Sequence, residues 1–323
     1  MKLGRRTFTA SGLALAASAG GARAQEYPDR LIKIVVPIST GSTTDILARL
    51  LADQLRQALG QPVIVENRPG AGGTIGSSIV AKAPPDGYTL MIVSSAHTSN
   101  PALYASLPYD SLTDFKGITM LTTMPNILVV APSKGIKTVA ELVARAKAKP
   151  GEMTYGSGGV GSAAHMNAEQ FRAMAGIDAL HVPYKGTPEM MADLVAGRID
   201  FAFISVVGVA GAIKEGKLTA LASGTDKRSK LLPDVPTTVE GGVPGSSYNV
   251  WVGLFAPGGT PNVIVDKLNR TTVAILQSPE IVEKFAALGA DAAAMTPAAF
   301  DTYVAKEITT IKELVKTAKI PTN

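Results

Sequence analysis

Strand-like and helix-like segments alternate along most of this 323-residue chain, and that alternation restricts its folds more than any other feature. Residues 31–36 are a short apolar, β-branched run closed by Pro37. Leu47, Leu50, Leu51, Leu55, Ala58 and Leu59 then recur at helical spacing, and Gly60 is placed to end that helix. Residues 62–66 and 89–93 read as further strands, separated by a glycine-rich turn and a helix over 75–82. This βαβαβ order implies a parallel sheet covered by helices.

A second unit begins near residues 127–131. Thr138 and Glu141 form a T-x-x-E capping box for a helix that Pro150-Gly151 stops. A strand at 153–155 passes through a glycine-rich loop into a helix over 162–175, with Gly176 beyond it. Residues 180–183 are a strand, and Thr187-Pro188 opens a helix closed by Gly197. Strands follow at 200–204 and 218–222, then a Pro-, Gly- and Ser-rich connection over 233–247 and a strand at 250–256. Thr260-Pro261, Ser278-Pro279 and Thr296-Pro297 each announce a further helix. There is no fixed-period repeat, and two βαβ-rich units with a helical C-terminal segment suggest two lobes.

Two segments share one physical design. The strand ending at Val36 runs into Ser39, Thr40, Gly41, Ser42, Thr43, Thr44 and Asp45, and the strand ending at Tyr155 runs into Ser157, Gly158, Gly159, Val160, Gly161 and Ser162. Each loop offers backbone N–H groups, small hydroxyls and the positive end of a helix dipole at a strand's C-terminal edge. That combination binds anions without Lys or Arg, although a capped turn with no ligand has the same signature. Asp45, in the first turn of its helix, most simply stabilises the dipole. His165 follows the Ser162 cap, where it either packs or faces a ligand.

Charge argues against nucleic acid. Four of the 31 basic residues, Lys2, Arg5, Arg6 and Arg23, lie in the first 24 positions, which hold no acid; the remaining 27 face 26 acidic residues. No basic run remains and aromatics are 5% of the chain, too few for a backbone-tracking surface with stacking platforms. The basic start, the small apolar stretch over 11–19 and Ala22-Arg23-Ala24 read as an export signal cut near Ala24. Arg5-Arg6 before Thr7-Phe8 resembles a twin-arginine signal, with an ordinary secretory signal as the alternative. The chain has no cysteine, which removes disulfides and thiolate chemistry.

Catalytic patterns are absent: there is no G-x-S-x-G, S-x-x-K or H-E-x-x-H. Gly156 to Gly161 matches G-x-G-x-x-G, but the next strand ends at Tyr184-Lys185 without the acid a nucleotide ribose needs. The three histidines, His97, His165 and His181, are scattered, so neither a metal nor a cofactor is expected.

Several strings in order carry a family resemblance. They are Val65-Glu66-Asn67-Arg68-Pro69-Gly70-Ala71-Gly72-Gly73, Asp86-Gly87-Tyr88-Thr89-Leu90, Asn100-Pro101, Tyr155-Gly156-Ser157 with Gly161-Ser162, His181-Val182-Pro183-Tyr184-Lys185-Gly186, Leu232-Pro233-Asp234-Val235-Pro236-Thr237 and Gly253-Leu254-Phe255-Ala256-Pro257. Together they resemble the substrate-binding proteins of tripartite tricarboxylate transporters, the Bug family, over nearly all of the chain after the export signal. The resemblance implies a type II periplasmic-binding-protein fold: two α/β lobes, each a mainly parallel sheet flanked by helices, with the ligand cleft between them. Residues 25–125 would open lobe 1, 126–245 would form lobe 2, and 246–323 would return to lobe 1. The chain departs from the family at residues 37–45, which read PISTGSTTD where the usual pattern is P-x-x-P-G-G-x-x-D, so Thr40 and Ser42 replace a proline and a glycine.

Carried over, the ligand loops are Ser39 to Asp45 and Ser157 to His165, with Ser94, Ser95 and Ser205 lining the same cleft. The implied ligand is a small organic carboxylate, either an aliphatic di- or tricarboxylate or an aromatic acid. The implied protein is a periplasmic monomer that serves the membrane components of a tripartite transporter. Docking on a sensor kinase is the alternative, and a hydrolase or isomerase using His165 with a nearby serine is a remoter one.

Overall fold

The computed structural model describes residues 27–318 and 320–322, and the export signal expected at residues 1–24 lies outside them. The chain runs through β1 (Ile32–Val36), α1 (Thr43–Leu59), β2 (Val63–Asn67), α2 (Thr74–Ala81), β3 (Thr89–Ser94), α3 (Ala96–Leu103) and β4 (Phe115–Met124). Pro125 alone separates β4 from β5 (Asn126–Val130). Then come α4 (Val139–Ala148), β6 (Thr154–Ser157), α5 (Ala163–Ala175), β7 (Leu180–Pro183), α6 (Thr187–Val195), β8 (Phe201–Ser205), α7 (Val206–Lys214) and β9 (Thr219–Ser223). A long connection leads to β10 (Val250–Pro257), α8 (Asn262–Leu276), α9 (Pro279–Ala287), β11 (Asp291–Ala292) and α10 (Pro297–Thr317).

These strands form two sheets of matching order, β11-β4-β10-β3-β1-β2 and β7-β6-β8-β5-β9. In the first, β1 is parallel to β2 and β3, while β10 is antiparallel to both β3 and β4. In the second, β6 is parallel to β7 and β8, while β5 is antiparallel to both β8 and β9. Each sheet is therefore mixed, and in each a central reversed strand, β10 or β5, enters from the other lobe, while β11 at the edge of the first sheet is also antiparallel to β4. The two crossings lie side by side: Gly224 N–H donates to Asn126 O and Tyr248 N–H donates to Gly224 O, both at 2.8 Å.

Helices on both sides explain why the central strands are apolar at every position. Ile34 and Val36 pack with Leu47, Leu51 and Leu55 of α1, while Val35 faces Met91, Trp251, Phe255 and Phe300 on the opposite side. In the second sheet Leu128 and Val130 join Tyr155, Phe171 and Phe203, while Ile127 and Val129 join Met190, Leu194 and Ile204. Each of these fully buried side chains contributes about 2 kcal/mol relative to exposure.

The structure corrects several readings. The longest strand, β4, was not expected, nor were α3, which contains Pro101, and α7. The cap of α6 is Gly186 rather than Thr187, and Thr260 Oγ1 donates to Pro257 O instead of capping α8. Ser42, Thr138, Ser162 and Thr296 do cap their helices, each accepting from the N–H three residues on.

Candidate functional site

The first loop leaves β1 through Pro37 and enters α1 at Ser42. Ser42 N–H donates to Ser39 O at 3.3 Å, and Ser42 Oγ accepts from Asp45 N–H at 3.2 Å. Gly41, at φ +80, turns its N–H onto Asp45 Oδ2 at 2.9 Å, a conformation that suits glycine. The Asp45 carboxylate also accepts from Arg49 Nε at 3.1 Å and from Asn67 Nδ2 at 3.0 Å, and it lies 3.0 Å from Arg49 Nη2. Burial pushes its pKa up, but Arg49, the Gly41 N–H and Asn67 outweigh that and hold it below the ordinary carboxylate value. Asp45 is buried and fully engaged within the protein. Among the described residues no protein group accepts from the N–H of Thr43 or Thr44, and Ser39, Thr40 and Gly41 are exposed.

The second loop repeats this frame. Ser162 N–H donates to Gly159 O at 3.2 Å, and Ser162 Oγ accepts from His165 N–H at 3.2 Å. Gly161, at φ +79, turns its N–H onto His165 Nδ1 at 3.2 Å. Where lobe 1 closes its loop with a carboxylate, lobe 2 closes it with an imidazole. Burial and the nearby Arg172 depress the His165 pKa to about 4, so the ring is neutral and can accept. The N–H groups of Ala163 and Ala164 likewise meet no protein acceptor. Gly158 and Ser162 are partly exposed. Ser157, by contrast, is buried, with its hydroxyl 2.7 Å from His181 Nε2 and accepting from Gly159 N–H at 3.1 Å.

The two loops are joined by a short chain of contacts. A Cβ built on Gly161 would stand 3.0 Å from Leu103 Cδ1 and 3.6 Å from Asn100 Oδ1, so the lobe 2 loop sits against α3 of lobe 1. Asn100 Nδ2 donates to Gly72 O at 3.3 Å, and a Cβ on neighbouring Gly73 would lie 3.3 Å from Pro37 O, at the base of the first loop. Asn100 Oδ1 is buried without a partner between them. Ser94, at the end of β3, and Ser205, at the end of β8, are partly exposed at their strand edges. Ser95 is fully buried beside Tyr248.

Sequence reasoning did not single out Arg49, Asn67 or Asn100 as site residues, nor Asn126 and Asn167. Asn126 pairs in register with Ser205, and a Cβ on Gly224 would lie 2.5 Å from Asn167 Oδ1, which places both asparagines at the crossing strands. Asn126 Nδ2 and both amide atoms of Asn167 are buried without protein partners. Such groups are rare in folded chains, so their gathering along the seam marks it as polar by construction. Asn67 and Asn100 stood in family strings, which was their one signal.

For chemistry, the site offers donors, and among the described residues the one serine hydroxyl that meets a histidine ring nitrogen is buried. Ser157 and His181 approach as a serine–histidine pair would, yet Ser157 is fully buried and its oxygen already accepts from Gly159 N–H. Among the described residues no group of three His, Asp or Glu side chains could hold a metal. No helix there is long and apolar enough to cross a membrane.

Comparisons with known proteins agree with this fold. The family described as tripartite tricarboxylate transporter family receptor matches residues 47–320. Rpa4515 of R. palustris, solved with adipate, is 36% identical with a TM-score of 0.85, covering 92% of this chain and 100% of that one. The periplasmic binding protein BugD is 33% identical with a TM-score of 0.83, covering 92% and 100%. MatC from Rhodopseudomonas palustris, with bound malate, is 32% identical with a TM-score of 0.81, covering 90% and 100%.

Proposed function

The chain belongs to the tripartite tricarboxylate transporter receptor family, a family of solute-binding proteins, and from that premise we propose that it captures a small organic carboxylate in the periplasm and delivers it to the membrane components of a tripartite transporter. Residues 25–125 and 246–323 act as lobe 1 and residues 126–245 as lobe 2, rocking about Pro125 and the connection after Ser223. The observation that carries the reading is the matched pair of loops, each presenting two unaccepted N–H groups at a helix start, Thr43 and Thr44 on one side and Ala163 and Ala164 on the other. Donors so placed hold an anion through amides and the helix dipole. Ser39, Thr40, Ser42, Gly158, Ser162, Ser94 and Ser205 supply the surrounding polar wall. Gly41, Gly161, Asp45, His165 and Ser157 shape the loops from within. The carboxylate ligands of Rpa4515 and MatC support the chemical class.

A thermal-shift screen of the mature protein against adipate, malate, citrate and phthalate tests this, because a ligand that binds only the native state raises its melting point. At 100 times its dissociation constant a true ligand adds about 2.7 kcal/mol. Unchanged melting with every acid at millimolar concentration rejects the function.

A further inference from the structure

The strings His181-Val182-Pro183 and Tyr155-Gly156-Ser157 meet in space: Tyr155 lies opposite His181 and Ser157 opposite Pro183 in the β6–β7 register. There the glycine-rich loop is pinned at two points. Ser157 Oγ is 2.7 Å from His181 Nε2 at one end, and Gly161 N–H donates to His165 Nδ1 at 3.2 Å at the other. The two imidazoles stack with centroids 4.1 Å apart and planes 24° from parallel. Tyr155 stacks on His181 as well, at 4.9 Å and 16°. Its hydroxyl donates to Glu169, which is paired with Arg172 at 2.8 Å. Arg172 Nη2 in turn donates to Ala318 O at 3.1 Å, at the C-terminus of α10 in lobe 1. Both pins thus rest on one aromatic stack anchored at its far side.

The loop needs such an anchor. Gly158, Gly159 and Gly161 fall within five positions, two of them at positive φ, and glycine loses more freedom on ordering than any other residue. A loop that must be ordered by its ligand binds it more weakly than one already in place. Two protonated imidazoles at this distance would repel each other. Burial and the neighbouring His165 depress the His181 pKa to about 3, so the stack persists across the neutral range.

Taking the carboxylate-binding function above as its premise, we propose that His181 is a positioning residue for the lobe 2 half of the ligand site. It pre-orders the glycine loop through Ser157 and through its stacked partner His165, without touching the ligand.

The test uses the full mature chain and four variants, with adipate and L-malate as calorimetric probes and backbone amide exchange of the ligand-free protein as a second readout. His181→Phe keeps the ring and removes the nitrogen, Ser157→Ala removes the partner, the double variant measures their coupling, and His181→Asn restores a polar partner. His181→Phe and Ser157→Ala are each expected to weaken binding about tenfold with little change in melting. The double variant should be no weaker than either single, because the two groups act as one unit, and His181→Asn should recover part of the loss. Without ligand, the Gly159 and Gly161 amides should exchange about tenfold faster in His181→Phe. Wild-type affinity and unchanged exchange in that variant, or strictly additive losses in the double, overturn the proposal. If His181→Phe does not fold, Ser157→Ala reads the same bond from its other end. If the wild type binds none of the four screened acids, the carboxylate function falls, and the exchange at Gly159 and Gly161 decides the loop-ordering role separately.

Discussion

The loops that open α1 and α5 are the same device built with different chemistry. Gly41 and Gly161 have φ of +80 and +79, Ser42 and Ser162 cap the helices, and the side chain four residues after each glycine folds back to its N–H. In lobe 1 that side chain is Asp45, with Arg49 one turn further on; in lobe 2 it is His165, with Glu169 at the matching place. One clamp is therefore an ionised carboxylate balanced by a cation and an amide, and the other a neutral ring held by stacking. The backbone geometry both require is indifferent to charge, but an incoming anion is not. The lobe 1 amides lie next to a buried negative group, whereas those of lobe 2 have none in their own clamp.

The largest effect should come from dismantling the charged clamp. Asp45→Ala removes the acceptor of the Gly41 N–H and of Arg49 Nε and leaves Asn67 Nδ2 only Ile38 O, and losing these hydrogen bonds to a buried carboxylate costs about 3 kcal/mol in all. Urea unfolding should show that loss, while Asp45→Asn, which keeps the shape and removes the charge, should lose about half as much. No loss in Asp45→Asn would mean that shape alone holds the loop and that the contrast with lobe 2 is only apparent.

Next in size is a transplant. His165→Asp would give lobe 2 the carboxylate of lobe 1 but not its arginine, since Arg172 is already paired with Glu169. A charge about 6 Å from a bound carboxylate at an effective dielectric of 20 costs about 3 kcal/mol, or roughly 100-fold in affinity. Calorimetry with a carboxylate ligand reads this directly. If affinity falls by less than about threefold, the ligand's charge does not rest at α5.

Much of this contrast was legible in the sequence, and the part that was not has a physical reason. Ser42, Ser162 and the glycines after Val36 and Tyr155 announce both helix starts, because capping and positive φ are local requirements. Asn67, 22 positions from Asp45, and His181, 24 positions from Ser157, act through parallel strand pairing, which no local period records. Strand β4 escaped notice because it is almost entirely buried, with Gly117 inside it, and so lacks the in–out alternation of a half-exposed strand. Its reversed neighbour β10 makes the first sheet mixed, as β5 does the second, a property that depends on how distant segments meet.

A smaller effect separates the two glycines. Gly41→Ala meets open space, so it incurs only the strain of a left-handed residue, about 1 kcal/mol. Gly161→Ala carries the same strain and also thrusts a methyl to 3.0 Å from Leu103 across the seam. The two variants should unfold at similar urea concentrations while Gly161→Ala alone binds ligand about tenfold more weakly. Equal affinities would show that this contact yields freely and that closure does not depend on it.

The smallest effect is a pH slope that again divides the two loops. The His165 and His181 pKa values lie at about 4 and about 3 in the fold against 6.5 ordinarily, so the folded state binds fewer protons than the unfolded chain. Their stabilisation is complete above pH 6.5 and is lost as pH falls from there toward 4. Asp45, held below its ordinary value, loses its contribution only in stronger acid, so the loop at residues 39–45 should be unaffected in this window, while His97, buried in α3 and depressed to about 4 as well, adds to the loss away from both loops. Glu307 works in the opposite sense. Burial raises it to about 7 although Trp251 Nε1 and Thr98 Oγ1 donate to it at 2.6 and 2.8 Å, and its preference for the proton makes the fold firmer as pH drops from 7 toward 4.5. The three histidines together outweigh Glu307, so the wild type should lose about 1 kcal/mol between pH 7 and 6, a few degrees in melting temperature, and Glu307→Gln should steepen that slope. Amide exchange would place the part due to His165 and His181 in the loop at residues 157–165 and spare residues 39–45. If both loops loosen together, or if the Glu307→Gln slope is flat, the neutral-ring clamp is no more sensitive to acid than its charged counterpart.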